Sequence, residues 1–182
     1  MLVPHDMNGQ TVGVLGLGGS GIAAVAALRA AGAHVVAFDD EKHQQDLPAI
    51  QMTDWRDWPW QDMVAMVISP GIPHLHPKPH PAAAHANSLQ IDVISEVELA
   101  LRAKPKAQLV VVTGTNGKST TTALIGHCLA TAGRAHAIGG NLGEPACSLD
   151  DPGNDGVLVL ELSSYQLETT PSLAPDISIL LN

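Results

Sequence analysis

Aromatic side chains are scarce in this chain of 182 residues: one Phe, one Tyr and three Trp. Alanine fills much of the apolar set instead, which argues against an aromatic-rich β-sandwich and for close packing of helices on a sheet. Cysteine is almost missing. Cys128 and Cys147 are far apart and form no C-x-x-C spacing, so neither a disulfide framework nor a zinc site is implied, and both are expected as reduced, buried thiols. Basic residues are few, 9 Lys and Arg against 18 Asp and Glu, and the net charge of −9 offers no attraction to a nucleic-acid backbone or an anionic lipid surface. No window approaches the roughly 18 consecutive apolar residues of a membrane span. The N-terminal "MLVPHDMNGQ" lacks the basic segment and apolar run of a secretory signal. These absences predict a cytoplasmic protein with neither nucleic acid nor membrane among its partners.

What is present is the grammar of a parallel α/β protein. Apolar residues make up 45% of the chain, and the 17 Gly and 13 Pro punctuate it without low-complexity blocks. Strands are expected at 11–18, 34–40, 63–69, 91–95, 109–112, 157–162 and 176–182. Helices are expected at 20–31, 81–88, 96–103 and 119–132. The segment "KPKAQ", 104–108, reads as a linker between residues 1–103 and 109–182. The second unit is small for a nucleotide-binding domain and stops after an apolar strand, so a C-terminal part is expected to be missing.

Two glycine-rich loops carry the chemistry. The first, Gly16-x-Gly18-x-x-Gly21, follows a strand, opens a helix and precedes Asp39 at the end of the next strand. That is the dinucleotide pattern, in which glycines admit a diphosphate to the helix N-terminus and an acid holds a ribose hydroxyl. A tight turn without ligand, or an NAD(P)-binding oxidoreductase fragment, satisfies the same residues.

The second loop, Gly114-Thr115-Asn116-Gly117-Lys118-Ser119, has two residues between glycines where the common phosphate loop has four. The physics is unchanged: amides curl around an anion, Lys118 adds a point charge, and the helix N-terminus favours phosphate. Ser119 or Thr120 offers a hydroxyl to Mg²⁺. Glu161, at the tip of the apolar run "GVLVLE", stands where an α/β sheet places a metal ligand.

The stretch "TGTNGKSTTT" resembles the ATP loop of the Mur ligases and their folylpolyglutamate synthetase relatives, in which the shortened spacing is the rule. "GGNLGEPA" (139–146), "ELSSYQLE" (161–168), "GLGGSG" and "SPGIP" (69–73) are similar to the D-glutamate-adding branch of that family, in order along the whole chain. The resemblance implies a Rossmann-like N-terminal domain for a uridine diphosphate substrate, followed by a truncated P-loop-type α/β ATP-binding domain. It implies that Gly18, Gly19 and Ser20 meet the diphosphate, Asp39 and Asp40 face uracil and ribose, and Ser69, Pro70 and Gly71 close over the nucleotide. It further implies ATP at Gly114, Thr115, Asn116, Gly117, Lys118, Ser119 and Thr120, and Mg²⁺ at Ser119 and Glu161. Lys118 and Glu161 are the implied catalytic residues, and Asn141 and Ser163 the contacts to the muramoyl-alanine end. The implied activity is a monomeric ATP-dependent ligase joining D-glutamate to UDP-N-acetylmuramoyl-L-alanine through an acyl phosphate, in peptidoglycan precursor synthesis. A histidine metal ligand, a carbamylated lysine and a third domain of the family have no counterpart here. The chain by itself is therefore expected to be inactive, and a non-catalytic UDP-sugar-binding module is a further reading.

His74, His76, His80 and His85 lie in a proline-rich stretch without Cys or acid, which predicts a solvated loop rather than a metal site. Trp55, Trp58 and Trp60 are expected to cover a sheet edge or a satellite of the core.

Overall fold

Strand Val157–Glu161 is buried at every position, whereas Gln108–Gly114 alternates its apolar residues between two faces; these two patterns place both strands inside a sheet covered on both sides. The computed structural model describes residues 1–76, 78–141 and 143–182. Pro77, within the histidine-rich stretch, and Leu142, within the 139–146 motif, lie outside the described residues.

The elements follow in the order β1 (Thr11–Leu15), α1 (Gly19–Ala30), β2 (His34–Phe38), β3 (Met63–Ile68), α2 (Pro81–Ser88), β4 (Asp92–Ile94) and α3 (Glu96–Arg102). The second half contributes β5 (Gln108–Gly114), α4 (Lys118–Thr131), β6 (His136–Gly140), β7 (Val157–Glu161), α5 (Ser164–Glu168) and β8 (Ile177–Leu181). They form two four-stranded parallel sheets, β2-β1-β3-β4 and β6-β7-β5-β8. Strand β6 and helix α5 are absent from the sequence expectation. Two glycines end β6, and α5 is only one turn and a half, so neither gives a strong periodic signal.

In each sheet the chain reverses direction beside its first strand: β1 lies between β2 and β3, and β5 between β7 and β8. Such switch points open a crevice at the carboxyl ends of the strands. Both glycine loops sit there, Gly16–Gly18 after β1 and Thr115–Gly117 after β5.

Helix α1 packs Ala24, Val25, Ala27 and Leu28 against the first sheet and closes where Ala33 N–H donates to Leu28 O. Its small side chains permit the close approach. A continuous core then joins the halves: Val12, Val14, Leu28, Val67, Val97 and Leu99 belong to the same apolar cluster as Leu109, Val111, Leu158 and Leu160. Full burial of each leucine contributes about 1.5–3 kcal/mol. The other face of the second sheet, with Val110, Val112 and Val159, is covered by Ile125 and Leu129 of α4.

The tryptophans belong to a separate cluster of the core, the second of the two expectations, rather than cap an edge. Trp58 and Trp60 are buried with Leu15, Met66 and Ile68 on the face of the first sheet, where the Trp58 ring lies over Gly13, a position with no side chain to obstruct it. The histidine-rich stretch is solvated only in part: His76 and His85 are exposed, whereas His74 is buried. His74 is buried beside Glu168, His80 caps α2 and faces Asp40, and the ring of His85 meets Trp60 edge-on at 4.8 Å. Cys147 is buried as expected, but Cys128 is exposed on the outer side of α4.

No helix among the described residues is long and apolar enough to cross a membrane.

Candidate functional site

A cleft of about 330 Å³ opens at the first switch point, lined by Gly16, Gly18, Asp39, Asp40, Lys42, Ser69 and Gly71 among others. Gly19 and Ser20 begin α1 at its lip, and Pro70 sits in the turn between Ser69 and Gly71. The glycines there divide by cause. Gly16 has φ +87°, and a side chain on Gly21 would meet Gly16 O at 1.9 Å; these two serve the fold. Gly18 has φ −70°, and a side chain on Gly18 or Gly19 would meet open space, so the protein itself has no need of glycine there. An approaching diphosphate does. No side chain caps Gly18, and the first turn of α1 holds no acid, which leaves its amides and dipole for an anion.

Asp39 is woven into the loop. Its Oδ2 accepts from Leu17 N at 2.5 Å, and Oδ1 accepts from Glu41 N and Lys42 N, each at 2.9 Å. Burial pushes its carboxyl upward, but the three amides and the Lys42 ammonium outweigh this and hold it below the ordinary range. Asp40 is the more available acid, with Oδ2 3.0 Å from His80 Nε2. Lys42, which the sequence reading passed over, lines the same cleft and donates Nζ to Leu17 O. A lysine three residues after the strand-end acid was the available signal.

At the second switch point, Gly117 has φ +81° and forms the N-cap of α4. Its left-handed backbone turns the loop into the helix. Lys118 Nζ folds back onto Gly114 O at 2.9 Å and Thr115 O at 3.3 Å, while Ser119 and Thr120 are exposed on the first turn. Asn116 N donates to Asn182 O at 2.7 Å, and Gly114 lies tight against Leu181, so the end of β8 braces the loop.

Register places Glu161 across from Val112, at the same edge as this loop. It is 2% exposed, and its Oε1 has no hydrogen-bond partner. A buried carboxylate oxygen without a donor is costly unless a cation or donor joins it. Residues of this kind fit a divalent cation: one hard carboxylate oxygen, with hydroxyls of Ser119 and Thr120 on the neighbouring helix start. Asn141 is adjacent, its N–H donating to Glu161 O at 2.7 Å. Ser163 stands two residues after β7's end and forms the N-cap of α5 in a reciprocal box with Gln166. The S-x-x-Q spacing in "SSYQ" announces that cap; the sequence reading took Ser163 only as a ligand contact.

Known proteins resemble this chain over its whole length. Residues 112–182 match the family described as Mur ligase middle domain. The whole chain is 47% identical to the UDP-N-acetylmuramoylalanine--D-glutamate ligase of Rhodopseudomonas palustris, 44% to that of Rhodospirillum rubrum and 41% to that of Caulobacter vibrioides. It spans about two fifths of the length of these curated relatives, 40% of the first two and 41% of the third. Among solved structures, a Neisseria UDP-N-acetylmuramate:L-alanyl-gamma-D-glutamyl-meso-diaminopimelate ligase has the same fold, with TM-score 0.55 and 18% identity, over 94% of this chain and 60% of that one.

Proposed function

We propose that this chain, which belongs to the Mur ligase family, forms the nucleotide-substrate and ATP-loop portion of an ATP-dependent amide ligase that joins D-glutamate to UDP-N-acetylmuramoyl-L-alanine. The observation that carries the reading is the pairing, at the carboxyl edge of the second sheet, of the Gly114–Ser119 loop with the orphaned Glu161 carboxylate. A single nucleotide-binding half does not require that second arrangement. The reading divides the chain into residues 1–103, a linker at 104–108 and a partial central domain at 109–182; two separate sheets support it, although β5 already begins at Gln108.

The residues act by positioning and by charge. The amides of Gly18, Gly19 and Ser20 receive the uridine diphosphate, with Asp39 shaping the loop, Asp40 facing the nucleoside, and the Ser69–Pro70–Gly71 turn closing the cleft. Thr115, Asn116 and Gly117 wrap the ATP phosphates. Lys118 exchanges its two carbonyl partners for the terminal phosphate oxygens and neutralises charge as the phosphoryl group moves to the substrate carboxylate. The product of that step is an acyl phosphate, which the D-glutamate amine attacks with loss of phosphate. Ser119 and Glu161 would hold Mg²⁺, which would supply further neutralisation of phosphate charge. Asn141 and Ser163 orient the muramoyl-alanine end. The setting is the bacterial cytoplasm and the acting species a monomer.

Calorimetric titration of the chain with UDP-N-acetylmuramoyl-L-alanine, NAD and ATP-Mg²⁺ in separate runs tests this. Binding of the UDP compound without NAD supports the reading. Binding of NAD alone overturns it in favour of an oxidoreductase fragment, and UDP-compound binding without ATP leaves a substrate-binding module.

A further inference from the structure

His80, the N-cap of α2, stands behind the first cleft: it meets Asp40 but does not line the cleft itself. Its Nδ1 accepts from Ala82 N at 3.1 Å as the cap of that helix, which places the ring proton on Nε2. Nε2 lies 3.0 Å from Asp40 Oδ2, within ion-pair reach. The ring is held on a third side by Trp55, edge-on at 6.2 Å between centroids and 74° between planes. Trp55 in turn stands edge-on to the buried Trp60 at 6.5 Å. A connected path therefore runs from the aromatic core through His80 to one oxygen of a half-exposed carboxylate. Among the described residues, Asp40 Oδ1 has no partner.

The contrast with Asp39 gives the arrangement its meaning. Backbone amides already fix Asp39, whereas Asp40 has only one anchor, a side chain from another element. An unanchored Asp at a strand end samples several rotamers and loses that freedom when it binds a ligand. An anchored one has already lost it.

We propose that His80 is a positioning residue that fixes Asp40 as the acceptor for a hydroxyl or N–H donor of a nucleoside diphosphate in the first cleft. The proposal rests on reading that cleft as the nucleotide site. His80 touches no ligand; it acts through Asp40, so the pair behaves as one unit.

Asparagine separates the two tasks of this side chain. His80→Asn keeps an N-cap acceptor for Ala82 but is too short to reach Asp40. Uridine diphosphate titrated into wild type, H80N, D40A and the double variant should show Kd raised about two- to fivefold by H80N, the range expected for one lost charge contact on a half-exposed carboxylate. The double variant should bind like D40A alone, and H80N should melt at the wild-type temperature. His80→Ser, another capping residue, should reproduce the loss if H80N proves unstable. Wild-type affinity in H80N, or losses that multiply in the double variant, would overturn the positioning role while leaving the nucleotide site intact. No binding by wild type would overturn the nucleotide reading itself, and this inference with it.

Discussion

Glu161 shows how much one side chain can say when its environment is known. Its fully buried Oε1 has no donor, an arrangement that burial penalises in the free protein and a bound cation relieves. Glu161→Gln should leave the free chain at least as stable as wild type. The stabilisation conferred by ATP-Mg²⁺, about 2.7 kcal/mol at a hundredfold excess over Kd, should be lost, as differential scanning calorimetry with and without ligand would register. An unchanged ligand-induced rise in Tm would remove Glu161 from the metal site. Gly18 makes the complementary case. With φ −70° and open space where its side chain would be, Gly18→Val should fold normally yet lose uridine nucleotide affinity by at least tenfold, because the valine fills the approach to the α1 amides. Undiminished affinity in calorimetric titration would displace the diphosphate from this loop. Both residues stood out in the sequence, one as an acid after an apolar run and one within a glycine motif. The donors around Asp39 did not, since they come from residues 17, 41 and 42 brought together by the turn.

The elements themselves were largely legible because their signals are local. Helix α2 starts at Pro81 and ends at Ser88 as the alanine-rich run with proline at its first position indicates. Alternation or continuous apolarity marked every strand except β6. Spacing is a weaker guide to faces: Ile22 stands three residues before Val25, the interval of a shared helix face, yet it is exposed while Val25 and Leu28 are buried. The contact between α1 and β1 is set instead by Gly21, whose Cα approaches Gly16 O so closely that no side chain fits. Gly21→Ala should therefore push the helix off the strand and cost about 2 kcal/mol or more, a Tm fall of several degrees for a chain of this size. Gly18→Ala, in the same motif, should cost far less. Thermal melts of the two variants separate a glycine needed for packing from one left open for a ligand, and equal losses would contradict that division.

At the scale of the whole molecule, the two sheets are joined by a polar seam inside the shared core. The 3-10 turn Ala146–Ser148 packs against α1 and α3, and Cys147 donates both N–H and Sγ–H to Glu96, at its carboxylate and backbone oxygens respectively. Ser95 Oγ and Thr170 Oγ1 are 2.7 Å apart, and Glu98 joins Arg102 to Ser172. Burial pushes the Glu96 carboxyl up from 4.5 to about 7, against the lowering effect of the Cys147 and Ala146 amides. The same burial, with Glu96 beside it, raises the Cys147 thiol well above its usual value. Because the folded state holds the Glu96 proton more tightly than the unfolded chain, the favourable term is fully present below about pH 4.5 and is lost as pH rises through about 7. Glu96→Gln should melt close to wild type at pH 5 and higher than wild type at pH 8, by a difference on the order of 3 kcal/mol. Denaturant melts at both pH values check this, and a difference that does not change with pH would show that Glu96 ionises as it does in the unfolded chain.

The sequence by itself determined the alternation of strands and helices and the two loops after β1 and β5, because each depends on short-range pattern: residue spacing, capping and glycine placement. Only the tertiary structure decided that Glu161 stands at the edge of the ATP-type loop, that Asp39 is already bound by amides while Asp40 leans on His80, and that Glu96 lies in a seam between sheets. These depend on strand order and on burial. Both join residues tens of positions apart, and neither leaves a mark in the local sequence.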